Sequence, residues 1–178
     1  NIGRSFIGER FADAGFEVIF SEVDQQLVDA LNERNSYRVV IKRGDAADEE
    51  VVVEGVRAVH GADVEAVVDE LVDADYAATA VGMAVLPRLA PVIAAGIRRR
   101  CELNKGPLDI ILAENVRNCS DLLRNELSTR LANETPEIKR YLDESVGLVE
   151  TSIGKMVPIM TDDDKQVDPL WVFAEPYN

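Results

Sequence analysis

Short β-branched runs alternate with amphipathic helical stretches along most of this 178-residue chain, and that alternation permits few architectures. A strand, a crossover helix and another strand pair in parallel, because a parallel partner cannot be reached through a tight turn. Residues 4–14 place Phe6, Ile7, Phe11 and Ala14 at helical spacing, with Gly15 as a stop. Residues 16–23 predict a strand. Residues 24–34 predict a helix capped by Asp24, with Leu27, Val28 and Leu31 on one face. Residues 37–43 and 50–60 read as two strands around the turn-rich GDAADE segment, a hairpin excursion rather than another crossover. A helix over 62–74 and a buried strand over 75–81 follow. The next helix runs to about Arg100 and starts late or kinks, because Pro87 and Pro91 fall in its first turns. Then come a strand (107–115), helices (118–132 and 136–145) and strands (146–153, 155–160 and 169–175), with 161–168 as a solvated, charge-rich loop. The expected fold is α/β: a doubly wound, mostly parallel sheet with helices on both faces and a β-hairpin excursion.

Composition removes several function classes. Acidic residues outnumber basic ones 33 to 19, a net charge of −14, so nucleic acid and anionic membranes are disfavoured partners. No apolar run reaches the ~18 residues of a membrane span. NIGRSFIGERF does not read as a signal peptide, so the expected location is the cytoplasm, and the Asn118 and Asn133 sequons read as chance. Cys101 and Cys119 read as inert thiols in a reducing compartment. His60 is the single histidine, too few for a multi-histidine zinc site and a poor start for a Ser-His-Asp triad, so no metal is expected.

In parallel α/β sheets ligands lie beyond the C-terminal strand ends. The residues there are Glu22, Gly82, Glu114 and Asn115. Gly3 opens the first helix and Glu22 ends the next strand, 19 residues on. This is the spacing of the last glycine and the ribose-binding acid of a dinucleotide fingerprint. The first strand and the two earlier glycines are then expected to precede residue 1. Spacing alone fits a helix-start glycine and a solvated glutamate equally well. Asp24, the competing acid, is better explained as a cap.

The order of motifs adds to this. Asn1-Ile2-Gly3-Arg4 and Phe6-Ile7-Gly8 resemble the opening of the mannitol-1-phosphate 5-dehydrogenases, a branch of the long-chain polyol dehydrogenases, with Ser5 at a usual glycine. Tyr37 with the strands after it, Thr79-Ala80-Val81-Gly82, LPRLAPVIAAGI, ILAEN, VGLVETSIGKMVP and DPL at 168–170 follow in the family's order. Gly154 and Lys155 stand where the family usually has Asp-Arg.

The resemblance implies a Rossmann-like NAD-binding domain over 1–178, without the family's helical second domain. That second domain would carry the catalytic lysine, so this stretch alone is expected to bind NAD without turnover. It implies hydride transfer between D-mannitol 1-phosphate, a small polyol phosphate, and NAD, giving fructose 6-phosphate and NADH, in a monomer. Ile2, Gly3 and Arg4 would lie at the pyrophosphate and Glu22 at the adenosine ribose. Thr79, Val81 and Gly82 would lie against the cofactor's middle and nicotinamide end. Asn115 would hold the oxygen at the reacting carbon, and Glu114 would orient that site or contact the nicotinamide ribose. The rivals are a mannitol 2-dehydrogenase or hexuronate reductase, and a dinucleotide-binding module without catalysis.

Overall fold

The computed structural model describes residues 2–44 and 46–176; Asn1 of the opening motif and Asp45 of the hairpin turn lie outside the described residues. A π-helical turn (Gly3–Ile7) runs into α1 (Gly8–Asp13), then β1 (Val18–Glu22), α2 (Gln25–Arg34), β2 (Ser36–Ile41), β3 (Glu49–Glu54) and β4 (Val56–His60). Next come α3 (Val64–Asp73), β5 (Tyr76–Thr79), α4 (Leu86–Glu102), β6 (Leu108–Leu112), α5 (Cys119–Arg130), α6 (Pro136–Ser145) and β7 (Val146–Glu150). The chain ends with α7 (Asp162–Val167) and β8 (Val172–Ala174). These elements form two compact units, Asn1–Asp63 with Gly154–Asn178, and Val64–Ile153.

In the first unit β1 pairs in parallel with β4, and β2 lies between antiparallel β3 and parallel β8. The hairpin is as expected. Residues 50–60 are not one strand, however. Gly55, at φ +71°, breaks them, and the halves pair with different strands. Asp24 caps α2 by accepting from the Gln26 N–H at 2.9 Å, and Gly15 stops α1 at φ +89°. The core joins Val28 and Leu31 of α2 to Tyr37, Val39, Val53, Val56 and Leu170.

Two expectations fail in this unit. Residues 155–160 form no strand: Met156 and Ile159 (93% exposed) have no sheet to cover them. Residues 161–168 are not a loop. Thr161 and Asp164 form a reciprocal capping box that starts α7.

Gly8 is where helix and strand approach closely. A Cβ there would sit 2.7 Å from Phe20 Cζ and 2.9 Å from Tyr37 Oη. Tyr37 is buried and its hydroxyl is held by the Arg4 carbonyl at 2.6 Å, so it has little room to yield. Gly8→Ala is therefore expected to destabilise the fold. Overpacking costs about 1–3 kcal/mol, against a gain of up to about 1 kcal/mol in helix preference. A urea midpoint that does not fall would show that the helix can lift away.

The second unit is a parallel sheet in the order β5-β6-β7 with α3 to α6. Its core gathers Leu86, Ile93 and Ile97 of α4 with Leu108, Ile110, Leu112, Leu123, Leu127 and Val146. Pro87 falls in the first turn of α4, which explains the late start, and Pro91 is accommodated inside the helix. β5 is shorter and less buried than expected. Tyr76 is 48% exposed and Thr79 is its one buried residue, because β6 flanks a single edge.

Arg100 closes this unit. It is 4% exposed. Its guanidinium donates to the carbonyls of Leu71, Val72 and Ala74 at the end of α3, and to those of Gly106 and Pro107 before β6. Its Nε donates to the Tyr141 hydroxyl. A cation at a helix C-terminus meets carbonyls that have no partner within the helix.

Candidate functional site

In the first unit the site is built at the end of β1 and the start of the first helix. Glu22 closes β1, and its Oε1 accepts from the Val23 and Asp24 N–H groups at 2.8 and 3.3 Å. Among the described residues its Oε2 accepts no hydrogen bond, which leaves one carboxylate oxygen for a ligand hydroxyl. Ile2 stands at the cap of the Gly3–Ile7 turn, and no side chain caps the turn. Arg4 reaches the Leu170 carbonyl at 3.2 Å through Nη1, while its buried Nε has no partner among the described residues. Burial pulls Arg4 below its ordinary pKa, and the fields of the Glu22 carboxylate and of Tyr37 oppose that shift. Burial likewise pushes the Tyr37 phenol well above its ordinary value, so it stays a donor to the Arg4 carbonyl.

Lys155 was the uncertain member of the resemblance. It is buried, with its ammonium 5.1 Å from the centre of the Phe6 ring, so it packs on the first helix as a cation–π partner. His60 closes a turn: Nδ1 accepts from the Ala62 N–H at 3.2 Å, so Nε2 carries the proton and donates to the Val23 carbonyl at 3.0 Å.

In the second unit the site lies at the C-terminal strand ends. Thr79 ends β5, and its buried hydroxyl has no partner among the described residues. Gly82 sits at φ +85° with nothing within 4 Å of where a Cβ would stand, an open position that another group can approach. Glu114 follows β6 and is 8% exposed. Its carboxylate accepts from the Val81 N–H at 3.2 Å and the Gly82 N–H at 2.5 Å. The backbone that the resemblance places against the cofactor thus has the Val81 and Gly82 N–H groups engaged by a side chain.

Asn115 is exposed, at φ +54°. Its Nδ2 donates to the Ile153 carbonyl at 2.5 Å and its Oδ1 accepts from the Ile153 N–H at 2.6 Å. This two-point contact decides which way the amide faces. The oxygen is turned to the Ile153 N–H, and the second Nδ2 hydrogen is the donor left to meet a ligand.

Sequence reasoning missed Glu150. At the end of β7 it accepts from the Ser120 N–H (2.9 Å) and hydroxyl (2.8 Å) at the start of α5, and these bonds hold its carboxyl below the usual range. Both cysteines are free thiols, and burial pushes Cys119 up. Among the described residues no three His, Cys, Asp or Glu side chains gather as a metal site, and no helix is long and apolar enough to cross a membrane.

Parallel α/β pairing, with acids, amides and an open glycine at the strand ends, defines a Rossmann-like domain. Residues 1–178 match the family model described as the mannitol dehydrogenase Rossmann domain, and the chain belongs to that family. It is 38% identical over 177 residues to the mannitol-1-phosphate 5-dehydrogenase of Brevibacillus brevis, covering 99% of this chain and 44% of that protein. With the enzyme of the same name from Geobacillus thermodenitrificans it shares 37% identity over 178 residues, again 99% and 44%. The chain therefore spans less than half the length of these relatives. Among solved structures it resembles a substrate-free D-sorbitol dehydrogenase (TM-score 0.81, 14% identity, 99% of this chain and 47% of that one). It also resembles the Pseudomonas fluorescens mannitol 2-dehydrogenase in ternary complex with NAD and D-mannitol (TM-score 0.74, 13% identity, 86% and 39%). At these identities the two structures speak for the fold alone.

Proposed function

We propose that this chain is the NAD-binding domain, spanning residues 1–178, of a cytoplasmic, monomeric mannitol-1-phosphate 5-dehydrogenase, with nucleic acid and membranes excluded as partners. The reaction is reversible hydride transfer between D-mannitol 1-phosphate and NAD, with fructose 6-phosphate and NADH as the other pair. The relatives' shared name supports the substrate. The observation that carries the cofactor reading is Glu22, with one unengaged carboxylate oxygen at the end of β1 and its field on Arg4.

The residues present fit a dinucleotide. NAD, when bound, supplies the hydride acceptor. In the first unit the Ile2–Arg4 backbone and the Arg4 guanidinium hold the diphosphate, and Glu22 accepts from the adenosine ribose hydroxyls. In the second unit the open face of Gly82, the partnerless Thr79 hydroxyl and the exposed Val81 lie against the nicotinamide half, with Glu114 orienting that turn. Asn115 donates its remaining Nδ2 hydrogen to the oxygen at the reacting carbon. A neutral amide stabilises a developing alkoxide without releasing a proton. Proton transfer falls to a lysine in the part of the full-length relatives that this chain does not span.

An assay of the full-length protein with mannitol 1-phosphate, mannitol and fructuronate, each with NAD and NADP, tests the proposal. Preference for free mannitol or fructuronate would remove the substrate, and activity with none of them would favour a non-catalytic module. Glu22 also sets cofactor choice, because its carboxylate repels a 2′-phosphate. Glu22→Ala is expected to shrink the NAD-to-NADP ratio of kcat/KM by about tenfold or more, roughly one repulsive contact's worth. An unchanged ratio would show that the ribose lies elsewhere.

A further inference from the structure

Consecutive residues at the end of β6 fasten the loops after both neighbouring strands. Glu114 turns inward and takes the Val81 and Gly82 amides of the β5–α4 turn. Asn115 turns outward and takes both backbone groups of Ile153, beyond β7. Gly82 then leads into the turn before α4, with its carbonyl accepting from the Val85 and Leu86 N–H groups at 2.9 and 3.1 Å. Asn115 holds a left-handed conformation that costs an ordinary residue about 1–2 kcal/mol. Asparagine tolerates that region, and the Glu114 clamp is one residue away.

We propose that Glu114 is a positioning residue: its buried carboxylate, locked between the Val81 and Gly82 amides, fixes the loop after β5 and the backbone from which Asn115 projects, and it does not ligate the cofactor. The inference rests on the dehydrogenase reading for its kinetic consequence. Its structural half stands on the hydrogen bonds alone. The clamp explains why an acid stands there. Both donors are N–H groups, and a carboxylate offers an acceptor to each. A glutamine would oppose one of them with its own NH₂. A charged acceptor also strengthens both bonds.

The test is Glu114→Gln and Glu114→Asp in the full-length protein, with three measurements: hydrogen exchange at the Val81 and Gly82 amides, NAD affinity by direct titration, and kcat at saturating NAD. In Glu114→Gln the exchange protection of one or both amides is expected to fall at least tenfold. kcat should fall about tenfold with the loosened Asn115, and NAD affinity should fall by a smaller factor than kcat. Glu114→Asp, shorter by one methylene, should fall between wild type and Gln on each measure, and it keeps the test alive if Gln does not fold. A large loss of NAD affinity with intact kcat would make Glu114 a ribose ligand and overturn the proposal. So would unchanged amide exchange. If the wild-type protein oxidises no polyol phosphate, the functional reading fails, and amide exchange still decides whether the clamp exists.

Discussion

Asn115→Ala is expected to lower kcat by about 10²–10³-fold, the usual loss when one preorganised donor to a developing oxyanion is removed. NAD affinity should change less than twofold, because the proposed contact of this amide is with the reacting oxygen and not with the cofactor. The size follows from orientation. The Ile153 N–H occupies Oδ1 and the Ile153 carbonyl occupies one Nδ2 hydrogen, so the other hydrogen is held at no cost in reorganisation when charge develops. Asn115→Asp makes the sharper comparison. It keeps the acceptor for the Ile153 N–H but places a carboxylate oxygen against the Ile153 carbonyl and removes the outward donor. Its kcat should fall at least as far as that of the alanine variant. Alanine also strains the left-handed backbone at φ +54°. Asn115→Gly relieves that strain and should show the same kinetic loss with a smaller change in stability. Intact turnover in the glycine variant would remove Asn115 from the chemistry.

Arg100→Met is expected to be the most destabilising single change in the second unit, by about 3–5 kcal/mol. Five N–H groups reach six acceptors in a site 4% exposed, and removing them takes this donor from the carbonyls of Leu71, Val72, Ala74 and Pro107, while Gly106 keeps the Tyr141 hydroxyl. Typical domains hold about 5–15 kcal/mol in all, so the variant should approach the edge of folding. Arg100→Lys should not restore it, because one ammonium cannot span the end of α3 and the segment before β6. Arg98 provides the contrast. Its pair with Glu134 is partly exposed, and Arg98→Met should cost no more than about 1 kcal/mol. Urea unfolding of the three variants checks the order. An Arg100→Met midpoint equal to that of Arg98→Met would show that solvent reaches those carbonyls.

Local signals in the sequence carried furthest. Asp24 as a cap, Gly15 as a stop and the hairpin of β2 and β3 depend on neighbours within a few residues, and all three stand in the fold. The capping box of Thr161 and Asp164 was equally local, but the three aspartates of 162–164 read as solvated charge and hid it. Gly55 falls inside the stretch 50–60 that reads as one strand. That it divides two sheets depends on β1 and β2 each claiming half, which the segment itself does not encode. Met156 to Met160 has strand-like composition without a neighbour to pair with. At the site, strand-end position picked out Glu22, Gly82, Glu114 and Asn115. The inward turn of Glu114 was hidden, because it needs β5 beside β6 before its carboxylate can meet Val81 and Gly82. The role of Arg100 was hidden for a similar reason: the sequence marks it as the end of a helix, and its partners appear once α3 and the segment before β6 close over it. The close approach of helix and strand at Gly8 was hidden too, because it needs Phe20 and Tyr37 beside the helix before it becomes a steric demand.

The most direct test is a crystal structure of the full-length protein grown with NAD. The adenosine ribose hydroxyls should lie within hydrogen-bonding distance of the unengaged Glu22 oxygen, with the diphosphate over the amides that begin at Gly3 and beside Arg4. A nucleotide bound away from the end of β1, with Glu22 still facing solvent, would contradict the account.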